Sequence, residues 1–263
     1  VIDNTKESAD SIIMSDDGYG IGIEIPSMLI TQDDGEKLKD WLSQADDEEL
    51  SQIAIMAQFD ISRPDNRVEY DIWLSSSNDK GLDFVQDFAK VDDKFGASVL
   101  MTPHYKFAIC EDCTAKQRAE HCYGDGKYCA VDKDHPRLSG RQIIGEDLRQ
   151  ICIYNKYYQK ESTRHLWWDY MRHIHINCYG SANIDCSENA HKEVGIDFTA
   201  TKQCAADSWE GVDIDFSKKV NSSKVYNPLI ENELTAYKKV GTHLFPSVII
   251  NNQTFRGQLQ IES

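Results

Sequence analysis

The sequence predicts an α/β protein in two units, the second of which carries a disulfide-rich helical insertion. Three observations lead there. Residues 68–74 alternate with the period of a strand and run through a capping residue into a helical pattern and a second strand. All eight cysteines fall between Cys110 and Cys204, with none in the first 109 residues or the last 59. A final helical pattern then leads into a short hairpin.

Taken in order, the first unit spans 1–62. Ile21 to Ile30 reads as a strand broken by Pro26, and Asp33 or Asp34 is placed to cap a helix. Leu38, Trp41 and Leu42 then share one face of that helix, and Ile53 to Phe59 is a second strand candidate. Two strands and one helix are few for an independent core, so this unit reads as the C-terminal part of a larger domain. Ser62 to Asn66 forms a turn or linker, and the second unit spans 67–263. In it Val68, Tyr70, Ile72 and Leu74 alternate with Glu69, Asp71 and Trp73. Asn78 or Asp79 caps a helix carrying Leu82, Val85 and Phe88, and Ser98 to Thr102 begins the next strand. The insertion, at about 108–227, is mostly helical: Leu148, Ile151 and Cys152 share a face, as do Trp167, Tyr170, Met171 and Ile174, and Cys186 to Val194 forms a further helix. Pro228 to Lys239 is the last helix, followed by Leu244 to Ile250, a turn at Asn251-Asn252, and a strand from Thr254 to Gly257.

The net charge of −16 argues against nucleic acid as a partner, since phosphates would be repelled. The charge is uneven: residues 1–60 hold fifteen Asp or Glu against three Lys. A basic partner is favoured over an acidic one on that side. No apolar run is long enough to cross a membrane, so no membrane contact is expected within this segment. The chain opens on Val1 with no apolar leader and reads as a segment of something longer. Cys110, Cys113, Cys122, Cys129, Cys152, Cys178, Cys186 and Cys204 fit four disulfides formed in an oxidising compartment, with the connectivity left open. The sequons at Asn221 and Asn252 suit glycosylation in that same compartment.

Strand, helix and strand, then helices, then Phe245-Pro246-Ser247-Val248 opening a hairpin, resemble the thioredoxin fold. That resemblance makes Pro246 a cis proline facing the first strand–helix junction. A redox thiol belongs at that junction, where a helix N-terminus stabilises thiolate. Ser75 to Gly81 contains no cysteine. Cys110-Glu111-Asp112-Cys113 has the redox spacing, but it follows the second strand, and its two acids would raise the thiol pKa. Cys122 and Cys129 lack the spacing of a zinc site. His173 and His175 point apart on a helix, and His165 is expected to pack beside Trp167 and Trp168. No phosphate loop, nucleophile elbow or zinc-protease motif occurs, so no metal, no cofactor and no nucleophilic or metallo-hydrolase chemistry are expected.

Longer strings carry a closer resemblance. Val68-Glu69-Tyr70-Asp71-Ile72-Trp73, Thr102-Pro103-His104-Tyr105, Gly126-Lys127-Tyr128-Cys129-Ala130, Glu146-Asp147-Leu148-Arg149-Gln150, Trp167-Trp168-Asp169-Tyr170 and Pro246-Ser247-Val248-Ile249-Ile250-Asn251-Asn252 occur in this order. Together they resemble the central region of plant-type vacuolar sorting receptors. Ile25-Pro26-Ser27-Met28-Leu29-Ile30-Thr31 resembles the protease-associated domain that opens those receptors. The resemblance implies a partial protease-associated domain followed by a thioredoxin-like domain. It also implies a luminal or cell-surface segment of the Golgi, endosomal or vacuolar pathway, without catalysis, in a single-pass membrane protein that binds peptide signals of soluble cargo. Family members carry cysteines at the first strand–helix junction, where this chain has Ser77 to Gly81. Thr31, Gln32, Asp33 and Asp34 are the candidate ligand contacts, since helix-start N–H groups take carboxylates or carbonyls. Two alternatives remain: a thiol–disulfide oxidoreductase using Cys110 and Cys113, and a structural surface protein reusing the same ectodomain.

Overall fold

The computed structural model describes residues 30–51, 67–130, 138–178, 182–210, 225–240, 246–251 and 253–254. Most of the expected strands of the first unit, the 62–66 linker, both sequons, the 255–257 end of the closing strand and the Phe245–Pro246 bond lie outside these residues. The chain divides into two compact units, Val1–Asp60 and Ile61–Ser263.

In the first unit, helix α1 spans Gln32–Gln44 and α2 spans Asp47–Ser51. The cap of α1 is Thr31 and not Asp33 or Asp34: its hydroxyl accepts the Asp34 N–H at 3.2 Å and donates to the Asp34 carboxylate at 2.7 Å. A threonine three residues ahead satisfies the orphan donor, which leaves the two acids in the first turn beside the positive helix end. The expected apolar face stays open, with Trp41 50% and Leu42 37% exposed.

The second unit is built on a sheet of order β2-β1-β5-β6. Strand β1 (Val68–Leu74) enters α3 (Asp79–Phe95), which returns as β2 (Val99–Tyr105) parallel to β1, from Val68↔Val99 to Leu74↔Tyr105. β5 (Ser247–Ile250) runs antiparallel to β1 on its other side, and β6 (Gln253–Thr254) pairs with β5. Asn251 turns this hairpin in the left-handed region at φ 47° and exchanges hydrogen bonds with Glu69, fastening it to the start of β1. As a central strand β1 is covered on both faces: Ile72, Trp73 and Leu74 are all fully buried. Tyr70 packs on Phe88 of α3, while Trp73 meets Tyr237 of α9 (Pro228–Val240) edge-on.

The outer edge of β2 is partly blocked. Pro103 supplies no N–H there, Tyr154 donates to the Met101 carbonyl at 2.6 Å, and the Tyr105 N–H is taken by Glu233 at 2.9 Å. An edge with several of its polar groups removed or satisfied is a poorer template for another strand.

Between β2 and α9 lies the insertion: α4 (Ala115–His121), the hairpin β3 (Cys122–Tyr123) and β4 (Tyr128–Cys129), α5 (Gly140–Ile153), α6 (His165–Cys178), α7 (Ile184–Val194) and α8 (Phe198–Asp207). Disulfides brace it. Cys122–Cys129 crosses the hairpin, Cys152–Cys204 joins α5 to α8, Cys178–Cys186 joins α6 to α7, and Cys110–Cys113 closes a loop after β2. No cysteine is free. Gly126 sits in the hairpin loop at φ 98°, where a Cβ would collide with the Cys110 carbonyl oxygen.

α5 is buried on all sides from Ile143 to Ile153, so its charges need partners inside. Arg149 pairs with Glu146 at 2.7 Å, and the remaining Glu146 oxygen accepts from Gln150 and from Tyr170. Ser187 of α7 completes the group, accepting from Arg149 at 3.0 Å. A buried ion pair is tolerable only when such hydrogen bonds finish it.

Candidate functional site

The C-terminal end of β1 turns into α3 through Ser75, Ser76 and Ser77, all buried. Asn78 caps α3 by accepting the Gly81 N–H at 2.8 Å, and its own N–H returns to the Ser75 carbonyl. The Ser75 and Ser77 hydroxyls lie 3.0 Å apart, and the Ser76 N–H donates to Asp147 Oδ1 at 2.8 Å. A Cβ built at Gly81 would lie 3.5 Å from the Pro246 ring, so Pro246 covers the first turn of α3. This corner holds hydroxyls where disulfide exchange requires a thiolate, and the cysteines are all paired elsewhere.

Beneath the corner, Asp147 is fully buried. Burial pushes its carboxyl up to about 7, the neighbouring Glu146 adds to the rise, and Ser76 and Arg149 pull it partly back. Its Oδ2 has no hydrogen-bonding partner, as expected of a group that avoids the anionic form.

At the opposite end of the strands a groove of about 430 Å³ opens beside Arg67, Asp92, Tyr158, Arg164 and His165. Asp92 is consumed within its wall by the Tyr70 hydroxyl at 2.6 Å, the Trp168 indole at 2.9 Å and Arg164 at 3.2 Å. Arg164 also caps the Gly96 carbonyl and donates to Tyr158, over whose ring it lies. His165 is exposed at the groove's rim and does not pack beside Trp167 and Trp168. As the first residue of α6 it falls on the face turned away from the core.

The other sequence candidates are spread out. Asp33 and Asp34 are exposed and Thr31 and Gln32 half-buried on α1, with the Asp34 and Gly35 N–H groups already used by Thr31. The Thr31 hydrogen bond, with Lys37, holds the Asp34 carboxyl below its ordinary value. His175 joins Asp83 of α3 at 2.6 Å. Among the described residues no group of three or more His, Cys, Asp or Glu could hold a metal. Cys110 and Cys113 are half-buried in the loop after β2, away from the β1–α3 junction. Asp147 and the His104–Glu233 contact on α9 were not singled out from sequence; both arise from partners about seventy or more positions away.

The family model for the vacuolar sorting receptor thioredoxin-like domain matches residues 68–263. The chain belongs to the vacuolar sorting receptor family. Vacuolar-sorting receptor 4 of Arabidopsis thaliana is 31% identical over 92% of this chain, and vacuolar-sorting receptor 3 of the same plant 30% over 92%. Vacuolar-sorting receptor 1 of Pisum sativum is 28% identical over 92%. The chain spans 39% of the length of each of these sorting receptors. Among solved structures, the thiol-disulfide oxidoreductase MdbA of Corynebacterium matruchotii superposes with a TM-score of 0.44 at 11% identity, covering 75% of this chain and 80% of its own. BdbD of Bacillus subtilis gives 0.45 at 9% identity, covering 77% and 85%. In this sorting-receptor relative the thioredoxin-like unit thus carries a serine corner and a disulfide-braced helical insertion. Among the described residues no helix is long and apolar enough to cross a membrane.

Proposed function

We propose that this chain is a luminal segment of a vacuolar-type sorting receptor and that it recognises peptide signals on soluble cargo in the secretory pathway. The family match across residues 68–263 is the observation that carries the reading. On this reading the first unit is the C-terminal part of a protease-associated domain, and Thr31 to Asp34 contact cargo. The acids at Asp33 and Asp34 favour a basic signal. Pro246, read as the cis proline of the thioredoxin-like frame, shapes the serine corner. The full ectodomain, immobilised and offered a peptide library at neutral pH, is expected to retain basic signal peptides. An Asp33→Asn, Asp34→Asn variant should retain them less. Failure of the unmodified ectodomain to retain any peptide refutes the receptor reading.

One observation keeps a second reading in play: Cys110 and Cys113 form a half-buried disulfide with the C-x-x-C spacing. An oxidoreductase would reduce insulin with dithiothreitol and lose that activity on Cys110→Ser. Absence of insulin reduction removes this reading.

A further inference from the structure

His104 of β2 stands between carboxylates from two other elements. Its Nδ1 lies 3.0 Å from Glu233 Oε2 on α9, and its Nε2 lies 3.8 Å from Asp71 Oδ1 on β1. The imidazole stacks on Trp73 with ring centres 4.6 Å apart and planes 16° from parallel. The contact is partly shielded from water: the side chains of His104 and Glu233 are only 18% and 12% exposed, and that of Asp71 29%. Glu233 is pinned in place because its Oε2 also accepts the Tyr105 N–H.

We propose that His104 is a charge-dependent clasp that fastens α9 to the sheet when its imidazole is protonated. An imidazolium donates from both nitrogens and so satisfies Glu233 and faces Asp71 with the right sign. A neutral imidazole donates from one nitrogen only and turns a lone pair toward the other carboxylate. Deprotonation thus removes the cation that separates Asp71 from Glu233. The surroundings are consistent with that role. From β1, Glu69 stands behind Asp71; from α9, Tyr237 meets Trp73 edge-on; after β2, Lys106 lies 5.8 Å over the Tyr237 ring; Tyr154 feels the Asp71 charge from the end of α5. Burial by itself lowers the His104 pKa, but the Glu233 hydrogen bond and the charges of Glu233 and Asp71 raise it above the ordinary 6.5.

The sign follows. A histidine raised in the folded state contributes stability that is complete below its unfolded pKa and is lost as pH rises through the folded one. α9 is therefore held most firmly under mildly acidic conditions and loosens as the solution becomes alkaline. The clasp does not depend on the receptor reading.

The test uses the full chain, isotope-labelled, in two measurements. Amide exchange along α9, corrected for intrinsic rates, should show severalfold greater protection at mildly acidic than at mildly alkaline pH, and His104→Gln should cut that gain severalfold. The imidazole titration of His104 should have its midpoint above 6.5 and move down in Glu233→Gln, which keeps an acceptor for the Tyr105 N–H but loses the charge. The second measurement stands if His104→Gln does not fold. An unchanged acid gain in His104→Gln, or an unmoved midpoint in Glu233→Gln, overturns the proposal.

Discussion

Replacing Asp147 by asparagine tests whether the floor of the serine corner is neutral. In the folded state its carboxyl is pushed up to about 7, against an ordinary value of 3.8. Between those values the folded chain keeps a proton that the unfolded chain has released. Stability from this group is therefore complete at acidic pH and drains away as pH rises through about 7. At 1.36 kcal/mol per unit, the difference of roughly three units amounts to about 4 kcal/mol across the whole window. Between about pH 5.5 and neutrality, roughly 2 kcal/mol of that is lost. Full burial means that solvent does not screen it. Asparagine keeps a carbonyl oxygen for the Ser76 N–H and cannot ionise. Urea unfolding at several pH values should show the unmodified protein weakening over this range by about 2 kcal/mol more than Asp147→Asn. Above neutrality the variant should match or exceed the original. Parallel pH profiles for the two proteins would show that Asp147 ionises normally, and the neutral-floor reading would be wrong.

Removing the Cys152–Cys204 bridge by paired alanine substitution opens a loop of separation 52, and denaturant unfolding should register a loss of about 4 kcal/mol. Tyr154→Phe deletes the hydroxyl that covers the Met101 carbonyl on the edge of β2. It should cost about 1 kcal/mol in urea unfolding and raise light scattering in concentrated samples as the edge becomes available. Gly126→Ala forces a Cβ against the Cys110 carbonyl at a positive φ, and a fall in melting temperature is expected, with a shift of the Cys110–Gly126 amide signals in NMR spectra.

The frame was legible because its signals are local. Alternation over Val68–Leu74, a capping Asn78 followed by Leu82 and Val85, and the hairpin after Pro246 depend on a few neighbouring residues each. The missing thiolate at Ser75 to Gly81 was legible for the same reason. What lies under that corner was not. Glu146, Arg149 and Gln150 sit three and four positions apart, so their mutual pairing is implicit in the helical repeat. Asp147 is off that face, and nothing in Glu-Asp-Leu-Arg-Gln says that it looks toward Ser76, seventy-one positions earlier. The cap at Thr31 was missed for a subtler reason: a cap accepts an N–H two or three residues on, so Thr31, Asp33 and Asp34 mark alternative helix starts, and the helix takes the earliest, with the Thr31 hydroxyl on the Asp34 N–H.

These details bear on where a ligand can bind. The Ser75 and Ser77 hydroxyls face each other, the Ser76 N–H is taken by Asp147, the Gly81 N–H is taken by Asn78, and Pro246 lies over the helix start. Each hydrogen-bonding group that a redox enzyme of this frame would present outward is here buried or spent internally. A corner so organised stabilises the junction of β1 and α3 and offers a peptide little to hold. A thioredoxin-like unit that binds cargo must then do so through another surface. The binding proposal instead rests on the first unit, where Asp33 and Asp34 are exposed.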